Sequence, residues 1–491
     1  MDKPFITIPG GLTYTYGQLD RRSAAIATVL SQSGAKPGDR IVSQVDKSPD
    51  AVALYLACLR GGFVYVPLSS SLGVEDMGFY LGDAEPSIFV CNESDAAKLK
   101  PVADIVGVNT IHTLSSLSTG TLADAANEVD PVVDVISRDP NDVAVIIYTS
   151  GNTGRAKGAM LTHRNLISNG RALHAVWRWR PGDVLLHSLP IHNSFGLLVA
   201  LHSAILNASE VLFHEKYKRS EVIKSMESAT VVMESPNHLF DLLQDPNFGK
   251  LTCNSVRLFV SGSAQLPHST FRDFAERTDH GICECYITTE AGVLSSNPPE
   301  GERVGGSVGY ALPNVDLRVV DPNGSVLGSG EIGQVQVKGP NTFAGYWQRP
   351  DSTSEGFTSD GYMKTGDVAF FSKDGRITLA GRANNLVVSG GQHIYPREIE
   401  IVLDNVPGVK ESAAIGLAHP QLGEAIAVFV VCDDKVTKEL LQSAIAQNVQ
   451  AFKMPREFIF VPDLPKSAMG VIQRKQLAAK HAEVFTANSI G

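Results

Sequence analysis

Positive charge is in short supply in this chain: 42 lysine and arginine residues stand against 52 aspartate and glutamate, a formal net charge of −10 over 491 residues. The basic residues are also scattered. A protein that grips a polynucleotide by counterion release needs them gathered, so nucleic acid is excluded as an expected partner. A single nucleotide is not, because backbone N–H groups and a few side chains hold phosphate against an unfavourable total. Cysteine is equally sparse. Six in a chain of this length, without the paired spacing of a disulfide framework or a zinc site, predict reduced thiols in a cytosol. The one close pair, Cys283 and Cys285, alternates as one face of a strand and reads as buried structural cysteine. Long apolar runs are missing too. The longest, Phe195–Leu206, is broken by His202 and Ser203 and falls short of the roughly 18 residues a spanning helix needs. The opening "MDKPFITIPGG" has no basic region before an apolar run, so no signal peptide is expected. These absences predict a soluble, cytoplasmic protein with no membrane partner.

What is present is ample apolar material, 43% hydrophobic against 19% charged residues, in a chain well beyond one core. Two or more domains are expected. Apolar runs such as "VAVIIYT" (143–149) and "VRLFVSG" (256–262) alternate with helical patterns at Ser23–Gln32 and Val222–Ser228, which predicts α/β layers with substantial parallel sheet. From about residue 306 short β segments lie between Gly, Pro and Asp turns, a β-rich unit closing the large domain. After Gly381-Arg382 a helix ("PREIEIVLDNV"), strands ("AIAVFVVCDD") and a second helix (Lys438–Asn448) suffice for a small α+β domain. The joint is placed at Ala383–Asn385, giving domains of 1–383 and 384–491. "GSGEIG" (328–333) matches a dinucleotide fingerprint but is followed by a strand, so it reads as a turn. The sequons at Asn92 and Asn207 carry no weight without a secretory signal.

The strongest local signal is "YTSGNTGRAKGAMLTHRNL" (148–166). A strand runs into Thr149, Ser150, Gly151, Asn152, Thr153 and Gly154, small residues that expose backbone N–H groups and hydroxyls, and Lys157 follows as a mobile cation; such a loop can wrap a triphosphate. Its spacing is not that of a P-loop NTPase. The segment resembles the phosphate loop of the adenylate-forming superfamily of acyl-CoA synthetases, peptide-synthetase adenylation domains and luciferases. "LTYTYGQL" (12–19), "RGGFVYVPL" (60–68), "LFVSGSAQLP" (258–267), "GEIGQVQVKGPNTFAGYW" (330–347), "YMKTGD" (362–367), "GRANNLVVSGGQHIYPREIE" (381–400) and "PKSAMGVIQRKQL" (465–477) match in the family's order, with a flavour closest to small-acid ligases of the malonyl-CoA synthetase kind. The resemblance implies a large multi-layer α/β domain with a β-rich subdomain, a small mobile α+β domain, and two half-reactions in one pocket. A carboxylate attacks the α-phosphate of ATP to give acyl-adenylate and pyrophosphate. The small domain then swings, and a thiol, commonly coenzyme A, displaces AMP. The residue roles it implies are Tyr286 stacking on adenine, Gly262, Ser263 and Ala264 beside the nucleotide, Glu290 on Mg²⁺, Thr289 on phosphate, and Asp367 accepting ribose hydroxyls with Arg382 beside it. Gly390 and Gly391 resemble the segment that approaches the thiol's pantetheine arm; a tight turn is their plainer reading.

Against that pattern several positions depart. The family's terminal loop ends in Gly-Lys, and that lysine bridges carboxylate and α-phosphate; here the pair is Gly470-Val471. Losing one preorganised donor of this kind costs roughly 3–4 kcal/mol, about 10²–10³-fold in rate. Lys466 and Lys475 do not occupy the family position. "YITTE" puts Ile287 where the family has glycine, His192 and Asn193 replace the aromatic-His pair, and the hinge residue, usually Asp or Lys, is Asn384. The pattern resembles the non-adenylating acyl-CoA synthetases of diterpenoid antibiotic pathways, which implies thioester formation from an acyl-adenylate made by a separate adenylating enzyme. A complete ATP-dependent acyl-CoA ligase and a non-catalytic nucleotide- or acyl-binding protein stay open. Phe195, Leu197, Leu198, Leu239, Val293 and Leu294 are expected to line the acyl pocket. Their segments carry no Arg or Lys, which favours a bulky apolar acid over a dicarboxylate; packing in the core is the bland reading of the same residues.

Overall fold

Strand and helix boundaries follow local chemistry over most of the chain, in a computed structural model that describes residues 1–132, 134–149, 156–466 and 472–485. The helix Tyr16–Gln32 opens on a capping box in which Thr15 and Gln18 satisfy each other's backbone N–H groups. The helix Pro49–Gly61 starts on Ser48 with Pro49 in its first turn and stops at Gly62, whose φ of 71° is left-handed.

Two sheets form the body of the large domain. One has six strands in the spatial order Ile111–Thr113, Ile88–Cys91, Arg40–Gln44, Val64–Pro67, Val143–Thr149, Lys157–Thr162. Its strands are parallel except the last pair, a hairpin with Thr149 opposite Lys157. The other has nine strands. Parallel Leu258–Ser261, Val231–Glu234, Val184–His187 and Glu210–Phe213 fill its centre, and Ile282–Thr288 turns back antiparallel onto Gly292–Ser296 towards one edge. Val231–Glu234 is buried at every position, as a strand covered on both faces must be. The β-rich stretch forms a four-stranded antiparallel sheet of Asp316–Val320, Gly333–Lys338, Met363–Phe371 and Ile377–Arg382. "GSGEIG" is a turn leading into the second of these strands, with Gly330 at φ 85°.

The 3₁₀ turn Ala383–Asn385 leads from that sheet to the small domain. There five strands carry the helices Pro396–Asp404 and Lys438–Asn448, and the long hairpin Val409–His419/Gly423–Cys432 is the spine. The two domains meet where Ser269 Oγ donates to the Lys410 carbonyl at 2.8 Å and Lys466 Nζ stands 5.9 Å from the Phe240 ring centre. At the same junction the Gln265 amide oxygen accepts from the Arg397 guanidinium, Nη1 at 2.9 Å and Nε at 3.1 Å. Among the described residues no helix is long and apolar enough to cross a membrane.

Candidate functional site

Three polar residues from three strands meet at one side of the large domain. Tyr286 lies near the end of Ile282–Thr288, where the pairing register slips between Tyr286 and Ile287. Its hydroxyl donates to Asp367 Oδ2 at 2.5 Å. Asp367 is buried within the strand Met363–Phe371. Its other oxygen is 2.8 Å from Arg382 Nε, directly across the neighbouring strand. Burial raises the Asp367 carboxyl above the usual range and the guanidinium opposes it. Burial, then the carboxylate, also pushes the Tyr286 hydroxyl well up, so it stays a donor.

Glu290 follows the same strand, and its Oε1 accepts from Tyr346 at 2.8 Å. The Lys157 ammonium stands 5.3 Å from the centre of that Tyr346 ring, so the start of the post-loop strand and the expected metal carboxylate share one neighbour. Among the described residues no cluster of three or more His, Cys, Asp or Glu could hold a metal alone. A Mg²⁺ here would take Glu290 together with phosphate oxygens, the usual ligand set for that ion with a nucleotide. Thr289 is half-buried beside Glu290. Ser150, Gly151, Thr153 and Gly154, the expected phosphate loop, lie outside the described residues.

Gly262 is required by packing: a Cβ there would fall 2.8 Å from Cys285 Sγ and 3.5 Å from the Phe195 ring. Ser263 follows at φ 69°, and Ala264 is half-exposed. Phe195 sits on a π-helix, Ser194–Leu201, whose first turn Asn193 caps by accepting from the Gly196 N–H at 2.9 Å. Phe195, Leu197, Leu198, Val293 and Leu294 are members of the main hydrophobic core, Ile287 packs against it, and Leu239 belongs to a second cluster. The core reading of these apolar residues therefore describes their packing. Of the expected acyl-pocket residues, His192 lines a cavity, about 260 Å³ in volume, which also touches Lys47, Ser188, Tyr217 and His238. Burial lowers the His192 imidazole below its ordinary range.

Lys47 went unnoticed in the sequence. It comes from the loop before the Pro49–Gly61 helix, 140 residues from its partner His187, and nothing local marks it. Glu234 is likewise new: fully buried, it accepts from Ser188 Oγ and lies 2.6 Å from His238 Nδ1, and His238 stacks on Tyr217 at 3.8 Å.

In the small domain Gly390 and Gly391, at φ 55° and 79°, form the exposed tip of the hairpin Val387–Ser389/Gln392–Ile394. Both central residues of such a two-residue turn need positive φ, so the turn alone accounts for them. Val471 lies outside the described residues, but the ends of its loop are stapled: Lys466 Nζ to Glu411 at 2.6 Å, and Arg474 Nη1 to buried Glu400 at 2.6 Å. Lys475 sits on the helix Arg474–Lys480.

The AMP-binding enzyme family matches residues 1–347, and the AMP-binding enzyme C-terminal domain matches residues 398–470. A feruloyl-CoA synthase of Amycolatopsis is 31% identical, the match covering 95% of this chain and 94% of that protein. A sulfoacetate–CoA ligase of Cupriavidus necator is 28% identical over 97% of this chain and 94% of its own. Among solved structures, ATP-bound MatB from Rhodopseudomonas palustris superposes with a TM-score of 0.93 at 40% identity, covering 99% of this chain and 97% of that one.

Proposed function

The chain belongs to the AMP-binding enzyme family, in its acyl-CoA synthetase branch, and from that premise we propose that it catalyses only the thioester-forming half of the family reaction. Acyl-adenylate and coenzyme A give acyl-CoA and AMP; a separate adenylating enzyme supplies the adenylate, in the setting of a diterpenoid antibiotic pathway. The carrying observation is Val471 in place of the family lysine, with Lys466, on one side of that position, committed to Glu411. Attack on ATP gathers charge on phosphate and needs a cation placed in advance. Attack on a mixed anhydride chiefly needs orientation. Tyr286, Asp367 and Arg382 are assigned to the AMP portion, with Gly262, Ser263 and Ala264 beside it, and Thr289 to its phosphate. Gly390 and Gly391 are assigned to the thiol arm once the small domain has turned about Asn384. His192, Asn193 and Ile287 are assigned to the mouth of the acyl pocket, and a bulky apolar acid to the pocket itself.

One observation favours the complete ligase instead. Lys157 stands beside the Tyr346–Glu290 pair, where it can serve a triphosphate with Mg²⁺. The deciding experiment compares thioester formation from synthetic acyl-AMP and CoA with formation from acid, ATP and CoA, alongside acid-dependent exchange of labelled pyrophosphate into ATP. Thioester from the adenylate without exchange is the expected result. Strong exchange by the wild type would establish the complete ligase. The Val471→Lys variant should restore little or no exchange, because Ile287 and the altered acyl residues also disturb in-line geometry, and poor alignment alone costs about 10²-fold.

A further inference from the structure

The cavity beside His192 contains an amine that none of the assignments above uses. Lys47 is only 8% exposed, and its Nζ has two partners, His187 Nδ1 at 2.7 Å and the His187 carbonyl oxygen at 2.9 Å. A third contact settles the imidazole tautomer. His187 Nε2 lies 2.9 Å from the Gly196 carbonyl, which can only accept, so Nε2 carries the hydrogen and Nδ1 offers a lone pair. Burial first, and Lys47 second, keep that ring neutral. Lys47 therefore donates twice, once to the ring and once to the carbonyl. An amine with two hydrogens has both occupied in this way and one lone pair left over.

The surroundings of Nζ decide which form prevails. Glu234 on its strand and Glu215 beyond the Glu210–Phe213 strand favour the ammonium, and the Phe213 ring, 4.3 Å away, does the same. Glu234 is already engaged by Ser188 and His238. Burial lowers the imidazoles of His187, on its strand, and of His214, just after Glu210–Phe213, which disfavours a second positive charge beside Nζ. Burial of Lys47 itself is the largest influence and takes its ammonium well below the ordinary range. In the amine form that burial favours, Lys47 combines a fixed position, one unengaged lone pair and a place in the wall of a cavity that reaches His192.

We propose that Lys47 accepts the proton of the acceptor thiol in the thioester-forming reaction, an assignment that rests on the reading of the site given above. The S–H bond breaks and its proton passes to the Lys47 lone pair. The sulfur electron pair forms the C–S bond at the acyl carbon, the bond from that carbon to the phosphate oxygen breaks, and AMP leaves as its anion. The Lys47 ammonium then returns its proton to water. The thiolate is the nucleophilic form, and a positioned general base is worth about 10²–10⁴-fold.

Two measurements test this. In the first, trace acetic anhydride labels the folded enzyme across a pH series, and peptide mass spectrometry follows each lysine. Lys47 reactivity should level off at a pH where exposed Lys410, whose ammonium Asp433 holds up, is still gaining; parallel rises for the two would show an ordinary ammonium and overturn the proposal. In the second, hexanoyl-AMP and CoA are the substrates, and Lys47→Arg and Lys47→Met are compared with wild type after matching melting temperatures. The arginine keeps hydrogen-bond donors but cannot accept a proton. Both variants should lose at least about 100-fold in kcat, with KM for CoA within threefold, and lose the rising limb of the pH profile. An active wild type with an equally active Lys47→Arg variant overturns the assignment alone. A wild type that makes no thioester from adenylate overturns the reading of the site and the assignment with it.

Discussion

Asp367 is pulled in opposite directions by burial and by Arg382, and the Tyr286 hydroxyl supplies its remaining partner. Tyr286→Phe deletes that donor and leaves a buried oxygen unsatisfied. The expected loss is about 1.5–3 kcal/mol of unfolding free energy, measurable by urea denaturation, together with weaker binding of AMP by calorimetry. Glu284, on the same strand as Tyr286, is a second buried carboxyl. Burial holds it at about 8, although the Gly306 N–H and Arg397 oppose the shift. Because the native state keeps a proton that the unfolded chain releases near the ordinary carboxyl value, this group's contribution to stability falls as pH rises towards about 8. Glu284→Gln is neutral throughout, so its stability relative to wild type should increase across that window and level off above it. A pH series of urea midpoints reads this directly; a constant difference between the two proteins would contradict it.

At the scale of elements, the informative piece is the π-helix Ser194–Leu201. Its sequence overlaps the apolar stretch Phe195–Leu206, and hydrophobicity without periodicity cannot distinguish one kind of buried helix from another. The close approach that shapes it is visible only in space: a Cβ on Gly196 would lie 1.9 Å from the Pro190 carbonyl oxygen. Gly196→Ala should therefore force a backbone shift and lower the urea midpoint, at a cost of about 1–3 kcal/mol. The hairpin Val143–Thr149/Lys157–Thr162 carries the other element-level test. If only the second half-reaction operates, Lys157 serves pyrophosphate that is never present. Lys157→Ala should then keep thioester formation from acyl-AMP within about tenfold, or about 1.4 kcal/mol of barrier. A loss beyond a hundredfold with intact folding would count against the proposed function.

At the scale of the molecule the proposed function requires the small domain to move. Gly390 and Gly391 lie exposed at a hairpin tip, while Lys466, ahead of Val471, stands beside Phe240 of the large domain. Bringing the glycine tip inward requires breaking the Ser269–Lys410 and Gln265–Arg397 contacts and absorbing the rotation in a few dihedrals of the Ala383–Asn385 turn. Proline fits the φ of a 3₁₀ turn but forbids large excursions from it. Asn384→Pro should keep the melting temperature while abolishing thioester synthesis from acyl-AMP. Unaltered synthesis would remove the hinge assignment.

Where signals are local, the sequence alone was decisive. Val143–Thr149 and Lys438–Asn448 coincide with the elements expected at those residues, because an apolar run or a Thr437 cap acts within a few residues of itself. The alternation of Cys283 and Cys285 was enough to predict two buried thiols, and the order of motifs was enough to indicate the family. The helix beginning at Tyr16 extends seven residues before the expected Ser23 because its capping box, not its apolar face, starts it. Which side chains meet was decided only in three dimensions. Tyr286 finds Asp367 across 81 positions and Lys47 finds His187 across 140, through a strand order that does not follow the chain. Nor could apolar character separate Phe195 in the core from His192 at the cavity wall, since burial depends on what the other layers bring to the same space. A lysine that faces the cavity from a loop with no motif of its own became visible only when two sheets closed around it.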